Sequence, residues 1–258
     1  MKEDTNTPSL RFKGFEGEWE EKKLGELAER TYGGGTPSTT NEQFWNGNIP
    51  WIQSSDLLEG KVVGINPRKY INQDALNQSA TQLIPAKSLA IITRVGVGKL
   101  AFIPFAYATS QDFLSLSQLK TEPLFTSYAC YKKLQAEINT VQGTSIKGIT
   151  KEDLLSKSIL VPSYPEQAQI GLMFQSLDQL ISLQEQKLEK LQSFKKAMLD
   201  KMFPQKGSRV PEIRFRGFTG PWKERQLNEY LAVSSLKNTD EVYGKKNVLS
   251  VSGSVGIV

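Results

Sequence analysis

Three glycine-punctuated stretches of this 258-residue chain carry residue types that could touch a ligand. Arg94-Val-Gly-Val-Gly-Lys99 sets two cations around two glycines. Glycine lets a backbone come close to a ligand, and Arg and Lys can hold a phosphate or a base edge. Gly33-Gly-Gly-Thr-Pro-Ser-Thr-Thr40 offers backbone N–H groups and the hydroxyls of Thr36, Ser38, Thr39 and Thr40, with Asn41 next in line. Gly143-Thr-Ser-Ile-Lys-Gly148 brings Thr144, Ser145 and Lys147. Ser54, Ser55 and Gln111 complete the polar set. These groups suit hydrogen bonding to nucleic-acid phosphates and groove edges. The plain alternative for each stretch is a connecting turn, and the residues alone leave both readings open.

Other chemistries are poorly served. The chain has no histidine, which removes Ser-His-Asp triads, His-ligated metal nucleases and His-based proton transfer together. A single cysteine, Cys130, rules out an internal disulfide and a Cys zinc cluster, and fits a reducing cytoplasm. The glycines at 33–35 lack the following Lys-Ser/Thr of a phosphate loop. Arg94–Lys99 lacks the third glycine and the helix of a dinucleotide fold, and reads as a hairpin-type turn. Asn48-Ile-Pro-Trp51 shares an Asn, a Pro and an aromatic with the adenine-methyltransferase motif, but lacks its first Pro and any cofactor glycine motif before it. Trp45 and Trp51 read as core. No apolar run approaches a membrane span, and the polar N-terminus has no signal-peptide core.

The elements that must position these loops are mixed. Apolar runs of strand length occur at 49–52, 88–93, 99–103 and 158–161. Leu124, Tyr128, Tyr131, Leu134 and Ile138 have helical spacing. Thr150-Lys-Glu-Asp153 opens a short helix with a capping hydroxyl. Residues 1–162 thus read as an α+β domain. From Glu166 to Phe203 there is no proline and one glycine. Ile170, Phe174, Leu177, Ile181, Leu188, Leu191, Met198 and Met202 follow a 4-3-4 spacing broken by Gln184 and Lys195. Those 38 residues, 166–203, read as a coiled-coil-like helix about 57 Å long at 1.5 Å per residue, within a spacer and dimerisation segment at 163–204. Its apolar stripe needs a partner of similar length.

One phrase occurs twice. Pro8-Ser-Leu-Arg-Phe-Lys-Gly-Phe-Glu-Gly-Glu-Trp19 returns as Pro211-Glu-Ile-Arg-Phe-Arg-Gly-Phe-Thr-Gly-Pro-Trp222. The separation is a domain plus a connector, too long for a solenoid repeat. Residues 205–258 therefore read as a linker and the start of a second unit, expected to be left unfinished. The net charge is +5, a mild basic excess compatible with nucleic acid.

In order along the chain, these pieces resemble the specificity (S) subunit of type I restriction-modification systems. The likeness is carried by Pro-x-Leu-Arg-Phe-x-Gly-Phe-x-Gly-x-Trp at 8–19 and its second copy, Gly34-Gly-Thr-Pro37 and Phe44-Trp-Asn-Gly-Asn-Ile-Pro-Trp-Ile52 with Asp56. It continues through the 94–99 turn, Gly143-Thr-Ser-Ile-Lys-Gly-Ile149, Val161-Pro-Ser-Tyr-Pro-Glu-Gln167, and Lys195-Lys196 with Met202-Phe203-Pro204. The resemblance implies two target recognition domains, each reading half of a split site in double-stranded DNA. Two conserved helices hold them apart. It implies methyltransferase (M) subunits that dock on the helices and supply S-adenosylmethionine chemistry, and a restriction/motor (R) subunit. The S subunit itself is non-catalytic and binds no cofactor. This chain has one such domain and one such helix, so it is expected to homodimerise through that helix. The rivals are a coiled-coil adaptor with no DNA sequence preference, and a methyltransferase in its own right.

Overall fold

The computed structural model describes residues 6–140 and 148–231, with the backbone of two short segments beyond, Val251–Ser252 and Gly256–Ile257. In chain order the elements are β1 (Glu20–Lys23), β2 (Ala28–Gly33), β3 (Ile49–Ile52), β4 (Lys69–Ile71), α1 (Gln73–Asn77), β5 (Ser88–Ile92), β6 (Leu100–Ile103), β7 (Ala108–Thr109), β8 (Phe113–Leu119), α2 (Pro123–Thr140), α3 (Lys151–Ser156), β9 (Ser158–Val161) and α4 (Tyr164–Met202). Two compact units result, residues 1–187 and 188–258.

In the first unit, an antiparallel sheet in the order β2-β8-β5-β6 is covered on both faces. Strand alternation divides its side chains. Leu89, Ile91, Leu100, Leu114 and Leu116 join Leu24, Phe125, Cys130, Leu134 and Leu154 on the helical side. Ala90, Ile92, Ala101, Ile103 and Phe113 meet Ile52, Leu57, Ile84 and Tyr107 on the other. There lies a second sheet, β4-β3-β7, in which β3 and β7 run parallel. The four apolar runs read from the sequence are strands β3, β5, β6 and β9. Strand β8 is missing from that reading because Ser115 and Ser117 interrupt its apolar pattern. Both serines are buried, and Ser115 accepts a 3.0 Å hydrogen bond from the Tyr107 hydroxyl. The burial pushes the Tyr107 hydroxyl pKa up.

The expected cap is present: Thr150 Oγ1 accepts from Asp153 N at 3.1 Å at the start of α3. Helix α4 begins two residues ahead of the sequence reading, because Pro165 is tolerated in a first helical turn. Its start is fastened to the sheet domain. Gln167 accepts from Glu122 N and donates to Pro162 O, both at 2.8 Å. Glu166, with its carboxylate buried, receives two 2.7 Å hydrogen bonds from Arg11 Nε and Nη2.

Arg11 belongs to the repeated phrase, and the second copy rebuilds its local fold. Arg11 donates to Gly17 O, and Arg214 to Gly220 O. Trp19 N donates to Asn6 O at 2.8 Å, and Trp222 N to Arg209 O at 2.7 Å. Phe15 N meets Phe12 O as Phe218 N meets Phe215 O. The copies differ in what covers them. Trp19 packs edge-on against Phe125 of α2 and Trp222 against Phe203, but Phe12 and Phe15 are half-buried where Phe215 and Phe218 are about 70% exposed.

Candidate nucleic-acid interface

Strand order decides where the sequence candidates fall. Gly33 ends β2 opposite Leu114, and Ile92 ends β5 opposite Phe113, so both strands finish beside the start of β8. The parallel pairing of β3 with β7 sets Ile52 and Thr109 side by side. Backbone hydrogen bonds join the loops that follow. Gly35 N donates to Thr109 O at 2.8 Å, Ser110 N to Ile52 O at 2.9 Å, and Thr93 N to Asp112 O at 2.7 Å. Ile149 N reaches Thr93 O at 2.7 Å. Four loops, distant in sequence, therefore share one edge of the domain: 34–41, 53–56, 93–99 and 110–112. Residues 148–149 join them.

The glycine loop serves packing as well as exposure. A Cβ on Gly34 would sit 1.8 Å from Ser110 O, and one on Gly35 would sit 2.6 Å from the Ala80 carbonyl carbon. Gly35 N is already bonded to Thr109 O, and the buried indole N–H of Trp51 donates to Gly35 O at 3.0 Å. This corrects the expectation that the glycine backbone is open to a ligand: at Gly35 both polar groups are spent inside the fold. What remains exposed is the hydroxyl row. Thr36 donates to Gln111 Oε1, and Ser38 and Thr40 pair at 2.9 Å. Asn41 accepts from Gln43 N at 3.2 Å, capping a short turn at Glu42–Trp45. Its Oδ1 thus holds the cap, while its amide NH2 has no partner among the described residues.

The 94–99 turn is the hairpin expected between β5 and β6. Gly96 and Gly98 hold φ of +91° and +96°, the left-handed region open to glycine. Arg94 is exposed and Lys99 half-exposed, and neither forms an ion pair among the described residues. Ser54 and Ser55 lie in a single turn, Ser54–Asp56, directly after β3. Thr144, Ser145 and Lys147 fall outside the described residues.

Sequence reading missed Arg68, Lys69 and Tyr70. Arg68 is held by three hydrogen bonds: Nε to Asp56 Oδ1 at 2.6 Å, and Nη2 to Ser55 O and Oγ at 2.7 and 2.8 Å. The Lys69 ammonium lies 5.4 Å from the Trp45 ring centre and 5.6 Å from that of Trp51. The two rings pack edge to face. Trp51 is buried as expected, and Trp45 is half-buried with its indole N–H on Ser38 O. Basic residues beside aromatics were the available signal, and it lies outside the glycine loops.

On α4 the predicted contact residues divide. Ile170 packs on the helical-side core and Phe174 against the Tyr128 ring at 5.2 Å. Leu177, Ile181, Leu188 and Leu191 are 44–57% exposed. Met198 and Met202 are half-buried, lining a groove of about 720 Å³ with Phe203, Phe215 and Trp222 in the second unit. Leu180 and Leu183, 57% and 60% exposed, extend the apolar face beyond the 4-3-4 seam. Among the described residues no cluster of three or more His, Cys, Asp or Glu side chains is placed to hold a metal, and no helix is long and apolar enough to cross a membrane.

A family model, the type I restriction modification DNA specificity domain, matches residues 16–193. The chain belongs to this family. It is 35% identical over 183 residues to the EcoR124I/EcoR124II type I restriction enzyme specificity subunit of Escherichia coli, a match covering 66% of this chain and 43% of that protein. It is 25% identical over 239 residues to the MjaIX specificity subunit of Methanocaldococcus jannaschii, covering 87% of this chain and 54% of the relative. The chain thus spans about half the length of these curated relatives. A chain from a solved structure on complex assembly and conformational transition of the type I R-M system superposes with TM-score 0.52 at 20% identity, over 77% of this chain and 48% of that one. At that identity the superposition speaks for the fold, an α+β domain followed by a long helix.

Proposed function

We propose that this chain reads one half of a bipartite sequence in double-stranded DNA. The edge formed by loops 34–41, 53–56, 93–99 and 110–112 enters a groove. One observation carries the reading: in a member of the DNA specificity family, hydroxyls, a glutamine and two cations with no ion pair among the described residues are drawn from four separate loops to one edge. Arg94 and Lys99 set the domain on the duplex or reach base edges, and Gln111 and the hydroxyl row present donors and acceptors to them. The chain acts by binding rather than by catalysis and holds no cofactor of its own. Methyltransferase subunits dock on α4 and bring S-adenosylmethionine, and a restriction/motor subunit completes the complex in the cytoplasm.

The exposed seam at Leu177, Ile181, Leu188 and Leu191 supports a second role, pairing with another copy of α4. A two-fold axis would then make the DNA site an interrupted palindrome. Sedimentation of the chain alone at micromolar concentration is expected to show a dimer, and a monomer overturns this part. The DNA reading is tested by competition. The chain, with the methyltransferase subunits of its own system, is bound to its preferred duplex and challenged with random-sequence duplex. A preference of about 10³ or more at physiological salt supports the reading, and equal competition refutes it.

A further inference from the structure

We propose that the cleft between the 36–41 loop and β4 seats a backbone phosphate of the DNA, with Lys69 supplying the charge and Arg68 a fixed donor. The inference rests on the DNA-binding reading and deepens it. The cleft is about 460 Å³ and is lined by Thr39, Trp45, Asn46, Gly47, Arg68, Lys69 and Tyr70. None of the seven is acidic. Thr39, one of the hydroxyls of the candidate edge, forms part of its wall, and the Trp45 indole ties that wall to Ser38 O at 3.0 Å. The cleft and the recognition edge therefore border the same loop.

The donors decide what the cleft takes. Lys69 has no carboxylate partner among the described residues, and its ammonium faces two indole rings. Those rings localise the cation without neutralising it. Arg68 differs. The Asp56 carboxylate is fully buried and fully used: Oδ1 accepts from Arg68 Nε at 2.6 Å, and Oδ2 from Gln53 N at 3.0 Å. Both hydrogens of Arg68 Nη2 go to Ser55. The guanidinium is thereby fixed in orientation, its charge is balanced by Asp56, and Nη1 has no hydrogen-bond partner among the described residues. The remaining polar tips are the hydroxyls of Thr39 and Tyr70 and the amide of Asn46. Donors outnumber acceptors. A phosphate oxygen only accepts, as guanine N7 and O6 do, whereas adenine and cytosine edges carry a donor. Phosphate alone also carries the negative charge that answers the Lys69 ammonium, so the donor-rich cleft matches phosphate. Lys69 then contributes sequence-independent affinity and Arg68 contributes register.

The test uses the full chain and a short random-sequence duplex, so its outcome does not depend on sequence preference. Binding is measured over about 50–200 mM salt for the wild type, Lys69→Gln, Lys69→Arg, Arg68→Lys and a control, Lys132→Gln, on α2 across the sheet. Neutralising one phosphate contact changes the slope of log K against log salt by about 0.9. Lys69→Gln is expected to flatten the slope by about that amount. Lys69→Arg is expected to restore it, and Lys132→Gln to leave it unchanged. Arg68→Lys is expected to weaken binding with little change in slope, because the Arg68–Asp56 pair is neutral overall. Thermal melts of each variant verify folding, and Lys69→Arg keeps the test decisive if Lys69→Gln is unstable. An unchanged slope in folded Lys69→Gln overturns the proposal. So does a Lys69-dependent affinity for inorganic phosphate alone with the DNA slope untouched, which would assign the cleft to a free anion. Failure of the wider reading looks different: the wild type would show the Lys69-dependent slope but no preference for any sequence.

Discussion

Of the three consecutive glycines at 33–35, the structure requires two, and substitution by alanine separates them. A Cβ at Gly33 meets nothing within 4 Å. A Cβ at Gly34 lies 1.8 Å from Ser110 O and 2.4 Å from Thr109 Oγ1, and ordinary contact begins at 3.4 Å. The loop and the 109–110 backbone must therefore separate by about 1.6 Å. That movement breaks the 2.8 Å bond from Gly35 N to Thr109 O and strains the buried bond from Trp51 Nε1 to Gly35 O. A buried polar group left unsatisfied costs about 1–3 kcal/mol. With an overpacking term of similar size, Gly34→Ala is expected to lose about 2–6 kcal/mol, and Gly33→Ala no more than about 0.5 kcal/mol. Urea unfolding followed by tryptophan fluorescence measures both, Trp51 being one of the four tryptophans that contribute to the signal. If the two variants lose equal stability, or Gly34→Ala falls within about 0.5 kcal/mol of wild type, the packing account of this loop is wrong.

Arg11→Ala is expected to lower the melting temperature, because it strands the buried Glu166 carboxylate. Arg214→Ala, in the copy with no carboxylate partner among the described residues, should leave it nearly unchanged; equal effects would refute a special role for the Arg11–Glu166 clasp. Burial pushes the Cys130 thiol up to about 12 from an ordinary 9.0. The folded chain should therefore resist thiol reagents at neutral pH and react on unfolding. Because the folded value is raised, the thiol leaves stability unchanged below pH 9 and lowers it as pH climbs from 9 toward 12, where only the unfolded thiol ionises. Comparing wild type with Cys130→Ala isolates this effect from the buried tyrosines, and identical alkaline slopes would exclude it. Arg94→Ala should cost about 1–3 kcal/mol of DNA binding and relax preference at one base position if Arg94 reads a base. A uniform loss across sequences reassigns it to a phosphate.

What the sequence revealed was what depends on local spacing. The 94–99 hairpin, the Thr150 cap, α2 and α4 follow from turn glycines, a capping hydroxyl and helical periodicity. The duplicated phrase was visible as letters, and the structure shows it as two copies of one hydrogen-bonded turn. Interactions between distant segments were hidden. Asp56 and Arg68 lie twelve residues apart, one in the turn after β3 and the other just before β4, and no spacing rule links them. Lys69 follows from the pairing of β4 with β3, which places it opposite Trp51. The tight fit of Gly34 depends on a carbonyl 76 residues away. Strand β8 escaped notice because its buried serines look like surface residues until Tyr107 is placed against them.

The most direct measurement is selection of bound duplexes from a random DNA pool, using this chain together with the methyltransferase subunits of its own system. Sequencing the retained DNA after several rounds is expected to give a fixed motif split by an unspecified spacer, with preference at one position relaxed when Arg94→Ala replaces the wild type. Retained DNA with no enriched sequence, bound as tightly as the starting pool, would contradict the claim that this edge reads bases.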